Sequence, residues 1–154
     1  MIEVDTPYDL AQYVGKPLGS SDWLLIDQAR IDAFAEVSGD NNWIHVDVER
    51  ARRELPGGRT IAHGLLTLSL VTHLGSTICR VRQRSRGINY GSNKVRFTAP
   101  VQEGARIRLH RTLENYELVE GGARLTFGNR IEIEGAERPA MVAETVSVMY
   151  AKEA

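Results

Sequence analysis

Ala62-His63-Gly64-Leu65-Leu66-Thr67-Leu68-Ser69-Leu70-Val71-Thr72-His73-Leu74-Gly75-Ser76-Thr77-Ile78-Cys79 runs for 18 residues without an Asp, Glu, Lys or Arg. Half of it is apolar; the rest is His63, His73, Gly64, Gly75 and five Ser or Thr residues. A bilayer-spanning helix needs about 20 mainly apolar residues, so the stretch is not a span. Its apolar positions Leu65, Leu66, Leu68, Leu70, Val71, Leu74 and Ile78 cover most of a helix circumference. A helix that is apolar nearly all round is a buried one. The stretch predicts one central helix enclosed by the rest of a small protein.

Two shorter helices precede it. Asp27 is placed to cap Gln28 to Ser38, with Ile31, Phe34 and Ala35 on one face and Gly39 as the stop. Asp47 is placed to cap a polar helix through Glu49-Arg50-Ala51-Arg52-Arg53, ended by Pro56-Gly57-Gly58. Between them Asp40-Asn41-Asn42-Trp43-Ile44-His45 shows neither helical nor strand period and reads as a loop. After the central helix the period becomes two. Ile107 and Leu109, then Leu125, Phe127, Ile131 and Ile133, then Val142, Val146, Val148 and Tyr150 alternate with polar residues, as half-buried strands do. Gly121-Gly122 joins two of these runs like a hairpin turn. Asn93 to Val101 reads as a strand closed by Pro100, and Ser20 to Ile26 as one more. The expectation is helices first, then about four strands, in an α+β layer arrangement.

Composition narrows the function. The 154 residues, 1–154, suit one domain and can bury a core of ordinary size without disulfides or metals. The 19 Lys and Arg residues against 20 Asp and Glu leave a net charge of -1, which argues against a nucleic-acid binder. Cys79 is the single cysteine, so no internal disulfide forms. The start Met1-Ile2-Glu3-Val4-Asp5 has neither the basic nor the apolar region of a secretory signal, and a cytoplasmic enzyme is expected.

The chemistry concentrates in two places. Asp40 and His45 lie on the irregular stretch after a helix end, where a loop can turn both toward one point. A carboxylate and an imidazole converging on one water make a general acid/base pair. The alternative is a turn-capping Asp40 and a hydrogen-bonded loop His45. Gly64 opens the central helix after a Gly-rich turn. The first N–H groups of a helix lack intrahelical partners and sit at its positive end. With no side chain in the way, a thioester oxygen can approach such an N–H as it gains enolate charge. Gly64 could equally serve close packing under the sheet.

Phe34-Ala35-Glu36-Val37-Ser38-Gly39-Asp40-Asn41-Asn42-Trp43-Ile44-His45-Val46-Asp47 resembles the hydratase motif of the MaoC-like dehydratases, the (R)-specific enoyl-CoA hydratases. Ile61-Ala62-His63-Gly64-Leu65-Leu66 resembles that family's second block. Asn89-Tyr90-Gly91-Ser92-Asn93-Lys94-Val95-Arg96-Phe97, with Ala99-Pro100-Val101, resembles the strand block of its nodulation-protein-N-like members. Three ordered blocks, from about Ser20 to the C-terminus, make the resemblance specific. It implies a single hot-dog fold, a long central helix wrapped by an antiparallel β-sheet. It also implies Asp40 and His45 as the catalytic pair, Asn42 beside them, and Gly64 as the oxyanion-hole donor. Many members have proline where this chain has Trp43, whose ring could wall the acyl site. The implied reaction is reversible syn hydration of a trans-2-enoyl-CoA to a (3R)-3-hydroxyacyl-CoA, in a homodimer. CoA is then part of the substrate, and no cofactor is expected.

Other residues carry weaker signals. Arg80, Arg82, Arg84 and Arg86 alternate, and Arg84 is a candidate for the CoA phosphates, the alternative being a solvated edge strand. Tyr90 and Asn93 belong to the third block, which suggests proximity to the site. His63 and His73 lie roughly 80° apart round a helix axis, and without HExxH or paired-Cys spacing no metal site is expected. Cys79 reads as a core residue. Two other functions stay open: a hot-dog acyl-CoA thioesterase, and a non-catalytic acyl-CoA binding module.

Overall fold

The computed structural model describes residues 1–153. In chain order it contains β1 (Ile2–Val4), a 3-10 turn at Pro7–Tyr13, β2 (Lys16–Ser20), β3 (Leu24–Leu25), α1 (Gln28–Ser38), α2 (Trp43–Val46) and α3 (Val48–Glu54). A short 3-10 turn at Pro56–Gly58 leads to α4 (Gly64–Ser76), followed by β4 (Cys79–Val81), β5 (Arg84–Phe97), β6 (Arg106–Val119), β7 (Gly122–Ile133) and β8 (Met141–Ala151). The antiparallel main sheet has the order β2-β6-β7-β8-β5, with β3 also paired to β6. β1 and β4 form a separate parallel pair.

The helices begin and end where their caps dictate. Asp27 accepts from the Arg30 N–H at 2.9 Å, and Gly39 takes a left-handed conformation (φ 77°) that ends α1. Asp47 accepts from the Arg50 N–H at 2.9 Å to start α3. α4 then lies on the inner face of the sheet. Its Leu66, Leu70, Val71 and Leu74 pack with Ile107, Leu109, Leu113, Leu125 and Ile131 in one core. Each such side chain contributes about 1.5–3 kcal/mol on burial.

Four expectations need correction. Strands come first: β1, β2 and β3 precede α1, and the segment from Ser20 to Ile26 is interrupted between β2 and β3. The loop holding Asp40 and His45 includes one helical turn, α2, capped by Asn42, whose side chain accepts from the Ile44 N–H. Finally, α4 is not enclosed all round. Leu65 is 62% exposed, because the sheet covers one side of the helix only. The strand expected from Asn93 is the end of the longer β5, which stops at Phe97 rather than Val101.

Candidate active site

α1, α2 and the start of α4 meet around three polar side chains. Asp40 follows the C-terminus of α1, His45 sits on α2, and His63 is the residue just before α4. Each offers a ligand-type atom, a carboxylate oxygen or a ring nitrogen, and these atoms lie within 4.8 Å of one another. The convergence expected of Asp40 and His45 is therefore present, at a separation that one water molecule can bridge. His45 is 7% exposed and His63 is 3% exposed, while Asp40 is open to solvent.

Backbone carbonyls set the imidazole tautomers, since a carbonyl can only accept. His45 Nδ1 donates to the Ile61 carbonyl at 2.6 Å, leaving the lone pair of the neutral ring on Nε2. His63 Nε2 donates to the Asp40 carbonyl at 3.0 Å, leaving its lone pair on Nδ1, a buried atom with no hydrogen-bond partner among the described residues. The two rings stack, with centroids 3.8 Å apart and planes 24° apart. A neutral His45 can take a proton at Nε2, and Asp40, His45 and His63 together also offer the atom types that could hold a metal ion.

Gly64 is the first residue of α4, so its N–H has no intrahelical partner. The Phe97 ring lies directly against it; a Cβ at position 64 would come within 2.8 Å of that ring. Trp43 is half-buried at the start of α2, with the Arg50 guanidinium 3.9 Å above its ring. Asn42 supports α2 through its cap. Arg84 and Tyr90 line a cleft of about 680 Å³ between the second half of α4 and β5, and Tyr90 also carries the Arg124 guanidinium 4.6 Å above its ring. Asn93 lies further along β5, opposite Glu144 of β8. Cys79 sits partly buried at the far end of α4, where burial pushes its thiol up and away from the reactive thiolate.

Residues 9–132 match the family model described as MaoC like domain. The chain belongs to the MaoC-like dehydratase family. It is 45% identical over 139 residues to a protein of Mycobacterium tuberculosis named 3-hydroxyacyl-thioester dehydratase Z, covering 90% of this chain and 91% of the relative. It is 40% identical over 144 residues to Nodulation protein N of Rhizobium leguminosarum bv. viciae, covering 92% and 89%. Among solved structures, the (R)-hydratase from A. caviae involved in PHA biosynthesis superposes with a TM-score of 0.65 at 27% identity, covering 84% of this chain and 93% of that one. The R-hydratase PhaJ1 from Pseudomonas aeruginosa superposes with a TM-score of 0.71 at 24% identity, covering 91% and 83%. The fold is the hot-dog fold.

For this MaoC-like chain, sequence reasoning left three contributors unplaced. His63 was visible only as a helix histidine, although its position beside Gly64 in the second block was a signal. Gln28 bridges the site from below: its Nε2 donates to the His45 carbonyl at 2.8 Å, and its Oε1 accepts from the buried Thr60 hydroxyl at 2.5 Å. Phe97 closes over Gly64 from β5. Gln28 carries no spacing that would have singled it out, and Phe97 stood in the third block without a role.

Proposed function

We propose that this chain is an (R)-specific enoyl-CoA hydratase, one MaoC-like domain working in the cytoplasm as a homodimer without a cofactor. The observation that carries the reading is the approach of the Asp40 carboxylate to His45, whose neutral ring presents the Nε2 lone pair. One water held between them attacks C3 of the enoyl thioester. His45 Nε2 takes a proton from that water and returns it to C2 on the same face, so the elements of one water add syn. Asp40 accepts the water's other hydrogen bond and balances the transient imidazolium. The Gly64 N–H receives the thioester oxygen as it gains enolate charge.

The homodimer reading rests on β5. Its 14 residues are exposed along nearly their whole length, including Ile88 and Tyr90, and the strand pairs on one side only, with β8. A long unpaired edge of this kind is covered by pairing with a second strand.

The test is hydration of crotonyl-CoA followed by loss of the enoyl-thioester absorbance, with chiral analysis of the product. (3R)-3-hydroxybutyryl-CoA is expected. Release of free CoA to a thiol reagent without hydration would instead select the thioesterase reading.

A further inference from the structure

The inward row of β6 is apolar except at one charged position. β6 turns Ile107, Leu109 and Leu113 inward to complete burial, and Arg111 lies between them in the same alternating row. Opposite it in register is Asn129 of β7, which is 3% exposed. Arg111 Nε donates to Asn129 Oδ1 at 2.9 Å, and Nη2 donates to the Val71 carbonyl of α4 at 3.2 Å. Asn129 is itself anchored, its Nδ2 donating to the Phe127 carbonyl at 3.0 Å and to the Thr145 hydroxyl at 2.9 Å. The guanidinium lies 4.6 Å over the Phe127 ring. On the helix side the space is made by Gly75, where any Cβ would collide with Nη1.

Arg111 has no carboxylate partner among the described residues. Burial drags its pKa down to about 10, which leaves it cationic at neutral pH. A desolvated, unpaired charge is costly, several kcal/mol in real interiors. A guanidinium has five N–H donors, and two are engaged among the described residues. Arg111 also forms part of the cleft of about 680 Å³ between α4 and β5. Arg80 and Arg84 line the same cleft, along with the hydroxyls of Ser69, Thr72 and Thr145, and no Asp or Glu does. Leu68, Val71, Ile88, Val146 and Met149 wall much of the rest, so the cleft suits an aliphatic chain that ends in an anion, with the three guanidiniums as the anion's seat.

The catalytic end and the cleft share two elements. α4 and β5 meet at Gly64 and Phe97, and the same two elements bound the cleft further on. Thr72 and Gly75 lie about 12 and 16 Å along α4 from Gly64 at 1.5 Å per residue. We propose that this cleft receives the distal end of the acyl chain and that Arg111 pairs there with a terminal carboxylate, selecting enoyl thioesters of dicarboxylic acids. This rests on the hydratase reading above and names the substrate class of that same site.

The experiment compares two trans-2-enoyl-CoA substrates of equal, medium chain length, one ending in a methyl group and one in a carboxylate. The wild-type protein is expected to favour the carboxylated substrate at least tenfold in kcat/KM. In Arg111→Met that ratio falls by at least tenfold, mainly through KM, and Arg111→Lys, which keeps the charge, retains part of it. Equal or better turnover of the methyl-ended substrate by the wild type overturns the proposal and leaves the hydratase reading standing, whether or not Arg111→Met folds. An unchanged ratio in a folded Arg111→Met also overturns it. Hydration of neither substrate, nor of crotonyl-CoA, overturns the hydratase reading and this inference with it.

Discussion

The imidazoles of His45 and His63 lie face to face, 3.8 Å between centroids, and each donates one ring N–H to a different backbone carbonyl. His63 donates to Asp40, so one buried ring both supports His45 and ties down the residue carrying the facing carboxylate. A displacement of 1 Å at a catalytic group can cost about 10²-fold. His63→Leu removes the hydrogen bond and the stack. It is expected to lower kcat for crotonyl-CoA by up to about 10²-fold with KM little changed. Steady-state kinetics on the folded variant check it, and an unchanged kcat would remove His63 from the positioning role.

Gly64 and Phe97 make a coupled pair. Gly64→Ala places a methyl group 2.8 Å from the Phe97 ring, so either the ring or the start of α4 must shift. Loss of one oxyanion-hole donor typically costs about 10²–10³-fold in kcat, and a loss at the lower end is expected here. Phe97→Ala in the same chain gives the methyl room and should restore part of the activity. A double-mutant cycle measures the restoration; additive losses would place the effect elsewhere.

The exposed β5 edge gives a hydrodynamic prediction. Ile88→Lys and Tyr90→Lys put charges on a strand whose outer side is unpaired. Size-exclusion chromatography with light scattering is expected to show a dimer for the wild type and a monomer for the double variant. A monomeric wild type would contradict the homodimer reading.

On the outer face of the sheet Glu132 accepts from Arg108 at 2.7 Å and from His110 at 2.5 Å. These hydrogen bonds, Arg108 first, hold its carboxyl from the ordinary 4.5 down to about 2. A carboxyl held below its unfolded value stabilises the fold fully above that value and progressively less as pH falls toward the folded one. Glu132→Gln should therefore flatten the loss of stability between pH 4.5 and about 2, read by urea denaturation across that range. An acid limb identical to wild type would show that Glu132 does not contribute.

The chain order of the site was written in local chemistry, and its assembly was not. Asp27, Gly39 and Asp47 mark their helix ends because a cap is a contact between residues a few positions apart. The long strands from β6 to β8 were visible because one face is buried, which forces period two. β1 was invisible: three residues signal little alone, and it forms by parallel pairing with Cys79–Val81. α2 is a single turn, too short to stand on propensity, and tertiary contacts hold it, including Ile61 N–H to the Ile44 carbonyl. The exposure of Leu65 and the inward Arg111 depend on which elements face each other. Alternation puts Arg111 in the row of Ile107 and Leu109, but what accommodates it there, Gly75 and Asn129, belongs to other elements.

The central claim is that Asp40 and His45 act on one water as a pair, and hydration of crotonyl-CoA by Asp40→Asn and His45→Gln tests it most directly. Each variant is expected to lose about 10²–10⁴-fold in kcat while remaining folded, with the double variant losing little more than the worse single one. Undiminished turnover in both single variants would contradict the account.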